Sequence, residues 1–274
     1  MIRDITIGQY YPADSILHRL DPRIKLLGTF LFILSLFFFK TFYGYIIVTV
    51  FLFSIIKMSN VPIKFIIKGL KPIIILILFT VIFNLFLTPG EVIIKLGFIK
   101  VTKEGLWFSA FMAIRLVYLI TGSSLMTFTT TPNQLTDGLE KLLWPMRKIK
   151  VPVHEIAMMM SIALRFIPIL LEETEKIMKA QKARGADFET GGIMKRAKAL
   201  VPILVPLFVS AFRRANDLAM AMEARCYQGG EKRTKMKPLR YKNQDYIAYL
   251  VIIFYLASIV VIRMAENFLN LSVH

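Results

Sequence analysis

The sequence predicts an all-α membrane protein with about five transmembrane helices and three further helices in the cytoplasm or at the membrane interface. Two observations predict this class. Of the 274 residues, 56% are hydrophobic, which is too large a share for an ordinary soluble domain. The chain nevertheless carries 35 Lys and Arg against 18 Asp and Glu, a surplus that is typical of multi-pass proteins whose basic loops face the cytoplasm.

Five apolar runs are candidate spans. The first two would measure about 50 Å as one helix, which exceeds a hydrocarbon core of ~30 Å, so a hairpin at KTFYG is expected between them. Thr88-Pro89-Gly90 ends the third run, and Arg115 lies near the middle of the fourth. The runs are 24–39, 42–56, 72–87, 104–130 and 246–262.

The basic residues predict the orientation of these spans in the cell membrane. With the N-terminus inside, the cytoplasmic segments hold 29 Lys and Arg and the outer loops hold 5. The C-terminus is then outside, and a large cytoplasmic insert separates the fourth and fifth spans. We therefore expect a membrane domain at 1–130, a cytoplasmic domain at 131–242 and a final transmembrane helix at 243–274.

The insert opens with an amphipathic helix in TTPNQLTDGLEKLLWP. Thr131 is a good N-cap, Gln134 can close a capping box with it, and Pro145 is expected to stop the helix. The opposite, polar face includes Glu140. This pattern is typical of a helix at the membrane surface, and the alternative is a core helix of a soluble domain. The apolar face consists of Leu135, Leu139, Leu142, Leu143 and Met146.

Two longer helices follow, predicted at 154–186 and 193–229. Each begins with a nearly continuous apolar stretch and then turns polar, and the two aligned polar halves have the same length. Pro202 and Pro206 are expected to kink the second helix or to split it. The alignment gives a possible pseudo-repeat with an offset of 41 residues.

Each polar half ends in an arginine, within Ala183-Arg184-Gly185 and Ala224-Arg225-Cys226. A guanidinium at a helix tip suits paired hydrogen bonds to carboxylates on a soluble partner. Two other interpretations stay open. An arginine in the last turn complements the helix dipole ahead of a glycine stop, and lysine-rich cytoplasmic helices bind anionic membrane lipid.

The chain lacks the motifs of an enzyme. It has no glycine-rich nucleotide loop, no metal-binding histidine spacing and no nucleophile elbow. We expect no metal site and no catalytic residue. The basic stretch 232–242 could attract nucleic acid, but directly before a span it is better explained as marking the cytoplasmic boundary, so we expect no nucleic-acid partner.

These features together resemble the transmembrane T component of energy-coupling factor (ECF) transporters, a branch of the ATP-binding-cassette (ABC) importers. DSILHRLDPRIKLL resembles the opening signature of that family. TTTPNQLTDGLEKLL, VPVHEIAMMMSIALRFIPILLEETEKI and AQKARGADFE resemble its coupling region. The paired Ala-Arg-Gly motifs are the most telling mark, and the second reads Ala-Arg-Cys here.

The resemblance implies a non-catalytic coupling subunit. Its cytoplasmic coupling helices dock two ABC-type ATPase subunits, which bind ATP and Mg, while this chain holds no cofactor itself. Its membrane part and coupling-helix surfaces hold a small membrane protein, the substrate-binding S component, which reorients and releases a vitamin or similar micronutrient inside the cell. The residues implied to dock the ATPases are Ala183, Arg184, Gly185, Ala224, Arg225 and Cys226.

The apolar faces at 135–146 and 156–171 are candidates for sliding contacts with the S component. For the methionine run at 158–160, core packing is the alternative. A self-sufficient channel or secondary transporter using Arg115 and Asn84, or a membrane-anchored interaction scaffold, are the rival functions. The candidate contact residues for the S component are Leu135, Leu139, Leu142, Met158, Met159 and Ile162.

Overall fold

The computed structural model describes residues 10–39, 42–96, 99–186, 188, 192–229, 236 and 238–268. Within them it confirms the all-α fold class. Short 3-10 turns at Lys71–Ile73 and Trp144–Ile149 accompany the α-helices. The helices are α1 (Ile16–Arg19), α2 (Pro22–Ser35), α3 (Phe42–Ser59), α4 (Ile63–Leu70), α5 (Ile74–Leu87), α6 (Lys103–Thr129), α7 (Pro132–Leu142), α8 (Val153–Ala183), α9 (Ile193–Ala224) and α10 (Asn243–Phe268).

A short antiparallel β-hairpin joins α5 to α6 and was not expected from the sequence. Strand β1 (Val92–Leu96) pairs with β2 (Ile99–Thr102), with Leu96 opposite Ile99. Residues 97 and 98, between the strands, lie outside the described residues. Both strands are rich in β-branched residues, which favour strands, but a pattern of so few residues is weak beside the long apolar runs on either side.

Five helical stretches among the described residues are long and apolar enough to cross a membrane. Three coincide with the predicted third, fourth and fifth spans, and the other two belong to α8 and α9 of the insert. The predicted first two spans form α2, which has 14 residues, and α3, whose apolar part Gly44–Ser59 is shorter than these five. Length and composition thus select α8 and α9 as readily as the three stretches that coincide with predicted spans, because the apolar halves of α8 and α9 are nearly continuous.

Side-chain hydrogen bonds cap the starts of α2 and α7, and the cap of α7 is the one predicted from the sequence. The Arg23 N–H donates to the carboxylate of Asp21 over 2.9 Å, which caps α2. At α7 the capping box is reciprocal, since the Thr131 N–H donates to Gln134 Oε1 and the Gln134 N–H donates to Thr131 Oγ1. The prolines of α9 do not split it, because the helix is continuous from Ile193 to Ala224.

The chain divides into two compact units, at Gly138/Leu139 and at Pro238/Leu239. We call residues 139–238 the coupling unit and residues 8–138 with 239–274 the membrane unit. Residues 232–235 and 237 of the basic stretch expected to mark the cytoplasmic boundary lie outside the described residues. The N-terminal residues 1–9 and the C-terminal residues 269–274 also lie outside them, and the predicted orientation of both ends stays a prediction.

The core of the membrane unit is aromatic. Phe51 stacks on Tyr255 of α10 with ring centroids 4.0 Å apart, and Phe32 of α2 lies 6.1 Å from Phe51. In contrast, none of the residues of α5 is buried, although its sequence is almost wholly apolar. An apolar helix that leaves its side chains uncovered in this way suits contact with lipid or with another membrane protein.

Candidate coupling site

The two arginine motifs end α8 and α9 in the same backbone structure. Arg184 is the C-cap of α8, and beyond it the Gly185 N–H donates to the Lys182 carbonyl and the Ala186 N–H to the Gln181 carbonyl, both over 3.0 Å. Gly185 has a φ of 86°. This pair of bonds with a left-handed residue after the cap is a Schellman motif, which satisfies the last carbonyls of a helix.

The tip of α9 repeats this cap without a glycine. Arg225 is its C-cap, the Cys226 N–H donates to the Glu223 carbonyl over 2.8 Å, and the Tyr227 N–H donates to the Met222 carbonyl over 3.1 Å. Cys226 takes the left-handed conformation with a φ of 56°. The replacement of glycine by cysteine therefore keeps the backbone geometry, at a cost of about 1 kcal/mol for a residue with a Cβ.

Both arginines project into solvent at these tips. Arg184 and Arg225 are exposed, as are the alanines that precede them. Neither guanidinium has an ion-pair partner among the residues that the structure describes. The two charges therefore contribute little to holding α8 and α9 together, and they are accessible to a partner protein.

Helices α8 and α9 cross where Glu173 faces Arg214. The guanidinium donates to the Glu173 carboxylate over 3.0 Å, and the hydroxyl of Ser210, one turn earlier on α9, also donates to it. Farther along, the Gln181 side-chain amide donates to the carbonyl of Pro202 over 3.4 Å. Because residues later in α8 meet residues earlier in α9, the two helices run in opposite directions.

The ion pair at the crossing shows how the two copies of the pseudo-repeat are arranged relative to each other. Glu173 and Arg214 are 41 residues apart, and so are Arg184 and Arg225, so the ion pair joins equivalent positions of the two copies. Each arginine lies 11 residues beyond the crossing, or about 16 Å along its helix. The antiparallel arrangement therefore directs the two tips to opposite ends of the helix pair, related by a local pseudo-two-fold axis.

A cleft of about 700 Å³ lies beside the Arg225 tip. The apolar start of α8 forms one wall with Met158, Ser161 and Ile162, and the end of α9 forms the other with Met222 and Arg225. Two of the predicted contact residues for the S component thus lie beside one of the predicted ATPase-docking arginines. Met159, the third candidate on α8, is 59% exposed and is not among the residues that line this cleft.

The apolar face predicted for α7 is only half covered. Leu135, Leu139 and Leu142 are each partly buried, so each retains surface for a contact. The polar face was assigned wrongly in one respect, because Glu140 is 6% exposed and lies inside the coupling unit. Its carboxylate accepts a hydrogen bond from His154 Nδ1 over 2.9 Å. Helical spacing predicted Glu140 to face water, and it could not show that His154 provides a buried partner.

In the membrane unit, Arg115 has a structural role. Its Nε donates to the Tyr45 hydroxyl over 3.1 Å, its Nη2 donates to the Phe39 carbonyl over 3.2 Å, and its guanidinium lies 4.8 Å from the centre of the Phe111 ring. Asn84 donates along its own helix to the Thr80 carbonyl. These contacts give no support to a polar path through Arg115 and Asn84, on which the channel hypothesis depends.

The N-terminal sequence DSILHRLDPRIKLL contributes Asp21 and Lys25 to a buried polar cluster that was not predicted from the sequence. Lys25 donates to the carbonyl of Thr129, the last residue of α6, over 2.8 Å. The carboxylate of Asp245 accepts the N–H groups of Asp21 over 2.9 Å and Lys242 over 2.7 Å, and it is only 1% exposed. An indication in the sequence was the acidic residue Asp245, which directly precedes the final apolar run at 246–262. We call Asp21, Lys25, Thr129 and Asp245 the polar junction.

Comparisons with known proteins match nearly the whole chain. A family model described as cobalt transport protein (CbiQ) matches residues 13–236. Three relatives, each named energy-coupling factor transporter transmembrane protein EcfT, come from Clostridium kluyveri, Ruminiclostridium cellulolyticum and Bacillus subtilis. They are 59%, 52% and 51% identical to this chain and align with 91%, 96% and 89% of it and with 93%, 98% and 93% of their own lengths.

These matches agree with the resemblance drawn from the arginine motifs and from the coupling-region sequences. They also fit a structure whose helices are long and apolar enough to cross a membrane. The chain therefore belongs to the family of transmembrane components of energy-coupling factor transporters.

Proposed function

We propose that this chain is the coupling subunit of an ECF-type importer and transmits ATP-driven motion from two ATPase subunits to a membrane S component. The paired tips carry the proposal, since two exposed arginines end equivalent helices in the same cap 41 residues apart. Two equivalent arginine tips suit two equivalent acidic grooves, one on each of two similar partner subunits. ATP and Mg are held by those ATPases, and this chain contributes no catalytic residue.

The crossing of α8 and α9 explains how motion at the tips can reach other surfaces. An ATPase bound at Arg225 would press on a helix end that shares a cleft with Met158 and Ile162. Because packed helices move as rigid bodies, a displacement of one tip pivots the pair about Glu173 and Arg214 rather than dissipating locally. The apolar surfaces of α7 and α8 are proposed to pass this movement to the S component, which then releases a vitamin or similar micronutrient into the cell.

The double variant Arg184→Glu/Arg225→Glu tests the proposal. Placed against an acidic groove, two reversed charges should lower docking affinity by several kcal/mol, so both ATPases should fail to co-purify and substrate uptake by cells should be lost. The variant Lys179→Glu/Arg213→Glu is a matched control, because it reverses two exposed charges on the same helices away from the tips. Uptake near the unmodified rate in the tip variant, or equal loss in the control, contradicts the proposal.

Reconstitution separates the rival functions. The chain alone in liposomes should show no solute flux, and flux without ATPases would instead support a self-sufficient channel or secondary transporter. An interaction scaffold would bind the same partners, but uptake would continue when the tips are reversed.

A further inference from the structure

A short basic turn connects α7 to α8, and its cations are not used in the function proposed above. We use this name for residues 143–150, all of which are exposed. The sequence from 141 to 154 contains no acidic residue, between Glu140 and Glu155. It holds four cations within ten residues, namely Lys141, Arg147, Lys148 and Lys150.

The basic turn also exposes large apolar side chains. Ile149 is 74% exposed and Trp144 is 46% exposed, with Leu143 and Met146 near 40%. Lys141 Nζ lies 5.5 Å and Arg147 Cζ lies 5.2 Å from the Trp144 ring centre. Cations interleaved with tryptophan and aliphatic side chains are typical of segments at the boundary between lipid head groups and acyl chains.

Backbone hydrogen bonds hold this turn in a defined shape. Residues Trp144–Ile149 form a 3-10 helix, and Lys150 follows in the left-handed conformation with a φ of 62°. The Lys150 N–H donates to the Arg147 carbonyl over 3.0 Å, and the Val151 N–H donates to the Met146 carbonyl over 3.4 Å. The cations are therefore presented from a fixed turn, which lowers the entropy lost when they bind an anion.

A cleft of about 260 Å³ adjoins the turn. Trp144, Arg147, Lys150 and His154 line it, with Glu155 as its one acidic wall residue. His154 uses Nδ1 on Glu140, and its buried Nε2 has no hydrogen-bond partner among the described residues.

We propose that the basic turn binds anionic phospholipid head groups at the membrane surface. Arg147, Lys148 and Lys150 contact the phosphates, while Trp144 and Ile149 enter the interface. Two observations favour lipid over an acidic protein surface. The cations alternate with exposed apolar side chains in one turn, and the chain carries helices that are long and apolar enough to cross the bilayer to which such lipids belong. The proposal does not depend on ATPase docking and can hold if the coupling function fails.

Tryptophan fluorescence offers a direct test, because the chain has two tryptophans, Trp107 and Trp144. The full-length chain with Trp107→Phe is placed in phosphatidylcholine nanodiscs that contain a minority of one dibrominated lipid. That lipid is phosphatidylglycerol in one arm and phosphatidylcholine in the other. Trp144 quenching is expected to be about threefold stronger with brominated phosphatidylglycerol, because each basic residue near the surface attracts anionic lipid.

Two variants locate the effect. Arg147→Gln/Lys148→Gln/Lys150→Gln should bring the quenching ratio close to one. The matched variant Lys176→Gln/Lys179→Gln/Lys182→Gln removes the same charge from α8 and should leave the ratio unchanged. Circular dichroism of each variant verifies that the helices are intact.

Several results would overturn the proposal. Equal quenching in both arms would mean that the turn does not select anionic lipid, and an absence of quenching would place Trp144 outside the bilayer. A ratio unchanged by the first triple substitution would assign the preference to other residues. Loss of the preference on adding millimolar inorganic phosphate would indicate a site for the free anion, and loss on adding the S component or ATPases would indicate a protein interface.

Discussion

In the membrane unit, Lys25, Arg115 and Asp245 all make hydrogen bonds to groups of their own unit, whereas Arg184 and Arg225 in the coupling unit project from helix ends. The difference follows from the surroundings. A charge removed from water must find partners within the fold, because an unpaired one is very costly. A charge that stays in water can be left for another protein at little cost in stability.

This contrast separates two kinds of substitution. Changes in the polar junction should lower the free energy of unfolding, and changes at the tips should lower partner affinity while the fold remains. The coupling function proposed above needs both properties, since the tips can only move a scaffold that does not itself deform.

The largest loss of stability is expected for Asp245→Asn. The buried carboxylate accepts the backbone N–H groups of Asp21 and Lys242, one at each oxygen, and an amide can accept only through its one oxygen. We expect the free energy of unfolding to fall by about 3 kcal/mol. Thermal unfolding of the purified full-length chain in detergent measures this change.

Asp217→Asn on α9 is the matched control, because Asp217 is exposed and should tolerate the same substitution with a change below about 0.5 kcal/mol. Equal melting temperatures for the two variants would show that the buried Asp245 contributes no more to stability than the exposed Asp217. The proposed difference between the two units would then be wrong.

A smaller and opposite pair of effects is expected at the two caps. Gly185→Ala should destabilise the end of α8 by about 1 kcal/mol, because a Cβ disfavours a positive φ. Cys226→Gly should stabilise the end of α9 by a similar amount. Nothing lies within 4 Å of a Cβ placed on Gly185, so the first effect arises from the backbone alone. Hydrogen exchange at the Ala186 and Tyr227 amides, which close the two caps, should become faster and slower, respectively.

Changes of the same sign at both caps would mean that the two tips are not held by equivalent structures. Changes of similar size and opposite sign would support the pseudo-two-fold relation between α8 and α9.

The smallest change in stability is expected for a single tip reversal, Arg184→Glu or Arg225→Glu. Neither side chain has an ion-pair partner among the described residues, so unfolding should change by less than about 0.5 kcal/mol. Each variant should nevertheless lose one ATPase and retain the other. Native mass spectrometry of the purified complex counts the bound subunits. Loss of both ATPases from either single variant would show that the two tips bind cooperatively and not as independent prongs.

Much of the structure of α7, α8 and α9 could be predicted from local sequence. The capping box at Thr131 and Gln134, the ends of α8 and α9 near the two arginines, and the 41-residue offset were all expected. Each depends on hydrogen bonds or helical spacing within a few residues. The prolines of α9 were expected to kink or split it, and the helix is not split, because neighbouring turns maintain it past the missing N–H groups.

The errors concern residues whose partners are distant in sequence. Glu140 was predicted to face water and instead pairs with His154, and Asp245 was not singled out although it joins the starts of α2 and α10. The ion pair between Glu173 and Arg214 could likewise not be predicted, because a repeat offset of 41 residues does not show whether the two copies pack parallel or antiparallel.

The amino-acid sequence alone was sufficient to predict the membrane character, the helical class, the two arginine motifs and the family. These depend on composition, on periodicity and on short motifs, which are written along the chain. The three-dimensional structure was needed to show that the motifs point to opposite ends of an antiparallel pair, that Cys226 takes the left-handed conformation of Gly185, and which charges are buried. Those properties depend on packing between segments far apart in the chain, and helical periodicity carries no information about which segments meet.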